Sequence, residues 1–309
     1  MWGLSLVALA IGLATLRTIE KPTLVQQSLA AALGVVLAVG LSARIGAHVL
    51  LGATLALIVG VGAVLTQWPP LLGGAAFGTG VLAACLGVLA TRPAMTFRGV
   101  VFEVVVALLV ATVGGLGVVG FSVGIDTERF AYGVLSLAFL ATVAMVYRLG
   151  GGLYGLGGRG LILGAGALAL LVVVLVYTAA LTRYGSPELV LQVDAAQDWT
   201  REYLGGVPHP VEVLVGIPAL AWGVSMRARR RQGWWVCAFG TAATAHVVSD
   251  LLGGGTALSS TLAALYGLVL GLLLGFAVIR LERVLTGRSS RAEKDVVQRE
   301  EPGRMRPLH

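Results

Sequence analysis

Long blocks of apolar residues, each about as long as a membrane-crossing helix, follow one another along this 309-residue chain. A helix needs about 20 residues to cross a hydrocarbon core of about 30 Å, because it rises about 1.5 Å per residue. Lipid offers no partner for backbone N–H and C=O groups, so a segment that crosses it must pair them internally. The blocks therefore predict an all-α polytopic membrane protein.

The composition supports this class and excludes several others. Charged residues make up 12% of the chain and hydrophobic residues 57%, whereas a soluble domain carries about 25% charged residues. A soluble enzyme, a disordered chain and a disulfide scaffold are excluded on this ground. The two cysteines, Cys85 and Cys237, lie far apart in apolar segments, so neither a cysteine zinc site nor a disulfide is predicted. No motif in the chain predicts a cofactor.

About ten transmembrane helices are predicted from the lengths of the apolar blocks, all in one bundle over residues 1–282. The spans lie near 2–18, 24–42, 45–66, 71–90, 99–123, 130–148, 160–182, 211–226, 233–252 and 257–280.

Basic residues set the predicted orientation, because loops rich in Lys and Arg stay in the cytoplasm. With both termini inside, 17 of the 22 Lys and Arg residues are cytoplasmic and five are outside. The opposite orientation would invert this ratio. We therefore expect a multi-pass protein of the cell (plasma) membrane with both termini cytoplasmic. The net charge of +7 is explained by this distribution, so membrane lipid and not nucleic acid is the predicted partner.

Two segments are predicted to lie outside the bilayer. Residues 187–204 have an apolar stripe with Trp199 and Tyr203, aromatic residues of the kind that sit at headgroup depth, and predict a helix on the outer surface. Residues 283–309 mix charged residues, Pro and Gly without apolar periodicity, and predict a disordered basic cytoplasmic tail.

Glycines at four-residue spacing mark one face of the last predicted span: Gly267, Gly271 and Gly275. Small residues at this spacing let a neighbouring helix approach closely. Two alternatives follow. The stripe packs against another helix of the same bundle, or it forms the seam of a homo-oligomer or of a complex with a partner subunit.

A cluster of polar residues near the outer surface is the leading candidate site. His246 and Asp250 are four residues apart and share one helix face, so the carboxylate is predicted to hold the imidazole. His209 and Glu212 reach the same side of the membrane at the start of the eighth span, which Pro218 interrupts. The cluster suits a proton or polar-substrate site, a divalent metal site, or a hydrogen-bonded pair that ends the helix.

Glu103 is the other charged residue within a predicted span, about one turn from the cytoplasmic end of the fifth span. Burying a charge at the centre of a bilayer costs at least about 2.5–3.5 kcal/mol, so a partner is expected. Arg98, with Arg92 and Arg148 as alternatives, lies at the same depth and predicts an inner ion pair.

Two glycine motifs have little weight. Gly155, Gly157 and Gly160 match GxGxxG, but the dinucleotide fold needs a preceding strand, so a flexible loop is the better interpretation. Ser122 lies in a GxSxG motif at the outer end of the fifth span. It would act as a nucleophile only with a histidine nearby, from His246 or His209, and otherwise the motif reflects packing at a helix end.

Ten spans with both termini inside are similar in outline to the drug/metabolite transporter superfamily, which is built from two inverted five-span repeats. The resemblance is in the number of spans and extends to no motif. The leading functional hypothesis is a small-solute transporter or permease. The alternatives are a non-catalytic membrane scaffold or regulatory subunit, and a membrane-embedded hydrolase or transferase with an outer-face site.

Overall fold

The computed structural model describes most of the chain, and every regular element in the described residues is helical. The described residues are 2–16, 24–124, 126–148, 205–229, 233–253, 257–285, 301–304 and 306–308, with isolated helical positions between 165 and 203.

Ten α-helices and one π-helical turn make up the described fold. In chain order they are α1 (Trp2–Leu16), α2 (Leu24–Ile45), α3 (Val49–Thr66), α4 (Pro69–Leu89), α5 (Phe97–Gly120), α6 (Thr127–Arg148), the π turn (Glu212–Gly216), α7 (Ile217–Arg227), α8 (Gly233–Ala238), α9 (Thr241–Asp250) and α10 (Ala257–Leu285).

Six of these helices, α2 to α6 and α10, are long and apolar enough to cross a membrane. The prediction of about ten spans is therefore not confirmed. Helix α1 has 15 residues, and the predicted spans 211–226 and 233–252 are each divided into two shorter elements. The predicted span 160–182 and the surface helix 187–204 lie largely outside the described residues. Several long apolar helices in one chain are those of a membrane-embedded protein.

The short helix α9 lies at the centre of the bundle and packs against α4, α5 and α6. The hydroxyl of Thr244 on α9 donates to the carbonyl of Ala84 on α4 at 3.0 Å. Helices α3 and α10 lie at the periphery, with only 11% and 22% of their apolar windows buried inside the chain. The arrangement leaves their apolar faces available to lipid.

The glycine stripe of α10 packs within the chain, which is the first of the two alternatives above. A Cβ at Gly271 would lie 2.6 Å from the Cβ of Ile217, and one at Gly275 would lie 2.9 Å from that of Ala221. A Cβ at Gly267 would meet the carboxyl group of Glu212 at 3.0 Å. The absence of side chains on this face therefore lets α10 approach the π turn and α7.

Two parts of the predicted tail, residues 283–309, are among the described residues. Helix α10 continues to Leu285, and residues 301–304 and 306–308 pack against the end of the bundle where α2, α4 and α7 terminate. Composition predicts disorder from the lack of an apolar face. These residues are ordered instead by ion pairs with side chains buried in the bundle. We call this end of the bundle the arginine end, and residues 301–304 and 306–308 the C-terminal segment.

Candidate functional site

Four polar side chains predicted as a site lie together at the end of the bundle where α9 terminates. His209 precedes the π turn and Glu212 opens it, while His246 and Asp250 lie on α9. The π turn packs against α9, so the two parts of the chain are neighbours. We call these four residues the histidine site.

Asp250 pairs with His209, whose Nε2 lies 2.9 Å from the Asp250 Oδ1. The four-residue spacing predicted His246 as this partner, and the structure differs because the segment before the π turn brings a second imidazole to the carboxylate. The hydrogen bond to Asp250 raises the pKa of His209 above its ordinary value. Partial burial lowers this pKa, and the negative charges of Asp250 and Glu212 raise it further. His209 therefore favours the protonated state.

His246 stacks on His209 and does not bond to Asp250. The two ring centroids are 5.3 Å apart and the ring planes differ by 11°. The Nε2 of His246 is buried and has no hydrogen-bond partner among the described residues. This nitrogen is therefore free to accept or donate a proton inside the bundle.

Glu212 is almost fully buried, with 1% of its surface exposed. Its Oε1 atom has no hydrogen-bond partner in the described part of the chain. The carboxyl group lies against α10, where Gly267 leaves the space that a larger residue would fill. A buried carboxylate oxygen without a partner is costly, so a proton or a bound cationic group would stabilise it.

The π turn determines where Glu212 lies. The N–H of Ile217 donates to the carbonyl of Glu212, five residues earlier. Pro218 follows and has no N–H to continue an α-helical hydrogen-bond ladder. Single π turns inside α-helices are frequently found at functional sites.

The charges of the histidine site do not balance when its acids are ionised. Asp250 and Glu212 supply two negative charges and protonated His209 supplies one positive charge. His246 then decides the net charge together with any bound group. In the described residues, no three His, Cys, Asp or Glu side chains are placed to hold a metal ion. The unpartnered Glu212 oxygen suits a proton or a small cationic group.

Asp250→Asn is expected to lower the pKa of His209, because it removes the charge that stabilises the imidazolium. The raised pKa of His209 contributes stability below an unfolded value of about 6.5 and loses it as the pH rises through the folded value. The free energy of unfolding of the variant should therefore fall less than that of the wild-type protein as the pH rises through these two pKa values. An NMR titration of the His209 ring measures the shift, with Asp126→Asn as the exposed control. An unchanged midpoint would show that the two side chains do not act as a pair.

The predicted inner ion pair of Glu103 forms with a different partner. Glu103 binds Arg304 of the C-terminal segment through both carboxylate oxygens, at 2.5 and 2.7 Å, and accepts the backbone N–H of Arg92 at 2.8 Å. Arg98 is not its partner. The sequence prediction considered only arginines at the same depth as Glu103. Arg304 was not considered because it belongs to the predicted cytoplasmic tail.

Ser122 of the GxSxG motif follows α5 with a φ of 53°, and its N–H donates to the carbonyl of Val119 at 2.9 Å. A left-handed residue immediately after a helix is a common helix ending. Ser122 makes no hydrogen bond to a histidine in the described ranges. The motif therefore fits the end of a helix, and the residues of the GxGxxG motif lie outside the described residues.

Comparison with protein-family models, with curated proteins and with solved structures gives no match for this chain.

Proposed function

We propose that this chain is a membrane transport protein that moves a small cationic or protonated solute, with the histidine site as its polar binding site. The distribution of basic residues supports a plasma-membrane location with both termini in the cytoplasm. In this orientation the histidine site faces the outside and the arginine end faces the cytoplasm.

One observation supports this proposal above the others: two buried polar atoms of the histidine site have no hydrogen-bond partner in the described chain. They are the Oε1 of Glu212 and the Nε2 of His246. A bundle that only provided rigid packing would be more stable with apolar side chains at these positions. Ionisable groups retained inside a membrane protein usually mark a pathway for a solute or a proton.

The charges of the site indicate which solute it suits. With His209 protonated and both acids ionised, one negative charge remains uncompensated. A proton on Glu212 or the cationic group of a solute would neutralise it. Competition of the two for one carboxylate couples solute binding to proton release, because each is bound only when the other has left.

The proposal is tested by charge movement in proteoliposomes on a solid-supported membrane. A pH jump applied to the wild-type protein is expected to give a transient current, and Glu212→Gln should lose most of it because the amide takes up no proton in this range. Asp126→Asn, at an exposed carboxylate that caps α6, is the matched control and should keep the current.

A wild-type protein without pH-driven current would contradict the proposal, and so would a Glu212→Gln variant with an unchanged current. Either result would favour the alternative of a non-catalytic scaffold or regulatory subunit. The tight glycine contacts between α10 and the π turn would then serve packing alone.

A further inference from the structure

Two arginines are buried completely at the arginine end of the bundle. Arg44 lies at the end of α2 and Arg227 at the end of α7, and each has 0% of its surface exposed. Thr91 lies between them, because its carbonyl accepts from Arg44 Nη2 at 3.3 Å and from Arg227 Nη2 at 2.9 Å. The Thr91 hydroxyl also accepts from Arg227 Nη1 at 2.7 Å. The protein therefore holds two like charges close together away from water.

The C-terminal segment supplies the anion that this pair requires. The Glu301 carboxylate reaches Arg227 through both oxygens, at 2.5 Å from Nη2 and 3.4 Å from Nε, and only 3% of its side chain is exposed. Arg227 Nη2 and Nε are paired by a carboxylate in the way that guanidinium groups bind carboxylates and phosphates.

Arg44 is bound by the same segment through neutral groups. Its Nη1 donates to the carbonyls of Pro302, Gly303 and Arg306, at 3.2, 2.9 and 3.3 Å. In return, the N–H of Leu308 donates to the carbonyl of Arg44 at 3.2 Å. The segment thus surrounds the guanidinium of Arg44 with backbone carbonyls and places no carboxylate in contact with it.

The ion pairing at this end is lost if the segment leaves. With the segment bound, Glu301 and Glu103 offset Arg227 and Arg304. Without it, Arg44, Arg227 and Glu103 remain. The sum of these charges is unchanged, but Arg227 has lost the carboxylate that paired with it and Glu103 has lost Arg304. A buried charge that loses its partner costs several kcal/mol. A second anion would therefore bind where the Glu301 carboxylate had been.

We propose that Arg44, Thr91 and Arg227 form an anion-binding site, and that the C-terminal segment is a built-in, displaceable ligand that occupies it through Glu301. The ligand class is a carboxylate or phosphate group, which presents the paired oxygens that Glu301 presents. Its source is either a free anion or the phosphate of an anionic lipid headgroup. The inference does not rest on transport activity, because the contacts are those of binding alone.

Displacement can be measured on the full chain by the reactivity of a single cysteine. Leu308 is half-buried against the bundle, whereas Arg306 has an exposed side chain. Leu308→Cys is expected to react slowly with a maleimide, and inorganic phosphate should accelerate the reaction with a saturable dependence. Chloride at equal ionic strength should not. Arg306→Cys is the matched control, which should react rapidly in both, and Cys85 and Cys237 are fully buried and do not contribute.

A second variant tests the site with the side chain at 308 unchanged. Glu301→Gln should be stabilised against heat by inorganic phosphate at roughly tenfold lower concentration than the wild-type protein, because a tethered competitor has an effective concentration in the millimolar range. The same experiment in nanodiscs of phosphatidylglycerol, compared with phosphatidylcholine, identifies a lipid source.

An effect of phosphate or of phosphatidylglycerol on both Leu308→Cys reactivity and Glu301→Gln stability supports the proposal and identifies the source. If neither anion changes either measurement, the segment is a permanent part of the fold and the proposal is wrong. Stabilisation of Glu301→Gln that persists when Arg227 is also replaced by Gln would equally overturn it.

Discussion

Arg227→Met is expected to lower the free energy of unfolding by about 3–5 kcal/mol, the usual cost of removing one partner of a buried ion pair. Arg227 is fully buried, binds Glu301 and Thr91, and stacks on the ring of Trp234 with its guanidinium carbon 3.4 Å from the ring centroid. Methionine matches the length of the aliphatic stem but leaves the Glu301 carboxylate without its cation. The loss should be visible as a shift in reversible unfolding by SDS in mixed micelles.

The control for Arg227→Met is Arg129→Gln. Arg129 pairs with Asp126 at 3.6 Å, and 89% of the Arg129 side chain is exposed. An exposed pair of this kind contributes about 0–1 kcal/mol. A small loss for the Arg227 variant, similar to that of the control, would show that the ion pair with the C-terminal segment is not formed in the folded protein.

Glu212→Met is expected to stabilise the protein, by about 1–3 kcal/mol, because an unpartnered buried polar group is replaced by an apolar one. Methionine is flexible enough to fill the space beside Gly267. The direction of this change separates a functional residue from a structural one. A residue retained for function at a cost in stability gives a more stable protein when it is removed.

Reversible unfolding by SDS at a single pH measures the stability change of Glu212→Met, and Glu212→Gln is measured for comparison. The amide keeps the shape of the side chain but also a polar atom without a partner, so its gain should be smaller. If Glu212→Met lowers the stability instead, Glu212 has a partner that holds the fold together. The proposed binding site would then lose its principal carboxylate.

The ends of the membrane-length helices follow from local composition. The predicted spans 71–90, 99–123 and 130–148 correspond to Pro69–Leu89, Phe97–Gly120 and Thr127–Arg148 within a few residues. A helix in lipid must satisfy its backbone internally, so the length of the apolar block decides most of the outcome. Local side chains then set the boundary, as where the hydroxyl of Thr96 accepts the N–H of Gly99 and caps α5.

The apolar blocks of the eighth and ninth predicted spans did not predict the structure that these segments adopt. The eighth predicted span divides into the π turn and α7, and the ninth divides into α8 and α9. Gly240 lies at the second division, where a Cβ would lie 2.8 Å from the Cδ1 of Leu220. These divisions depend on which helices pack against the segment. Hydropathy along the chain does not predict these neighbours.

The sequence by itself determined the class of the protein and most of its long helices, because the length of an apolar block is a local property. It also predicted that the four residues of the histidine site are neighbours, and their use as a site stays a prediction. Tertiary structure alone decided how the charges pair. Asp250 binds His209 and not His246, and Glu103 binds Arg304 from a segment far along the chain. Charged side chains pair with the groups that are nearest in space once the helices have packed. Spacing along one helix shows which pairs are possible but does not determine which pair forms.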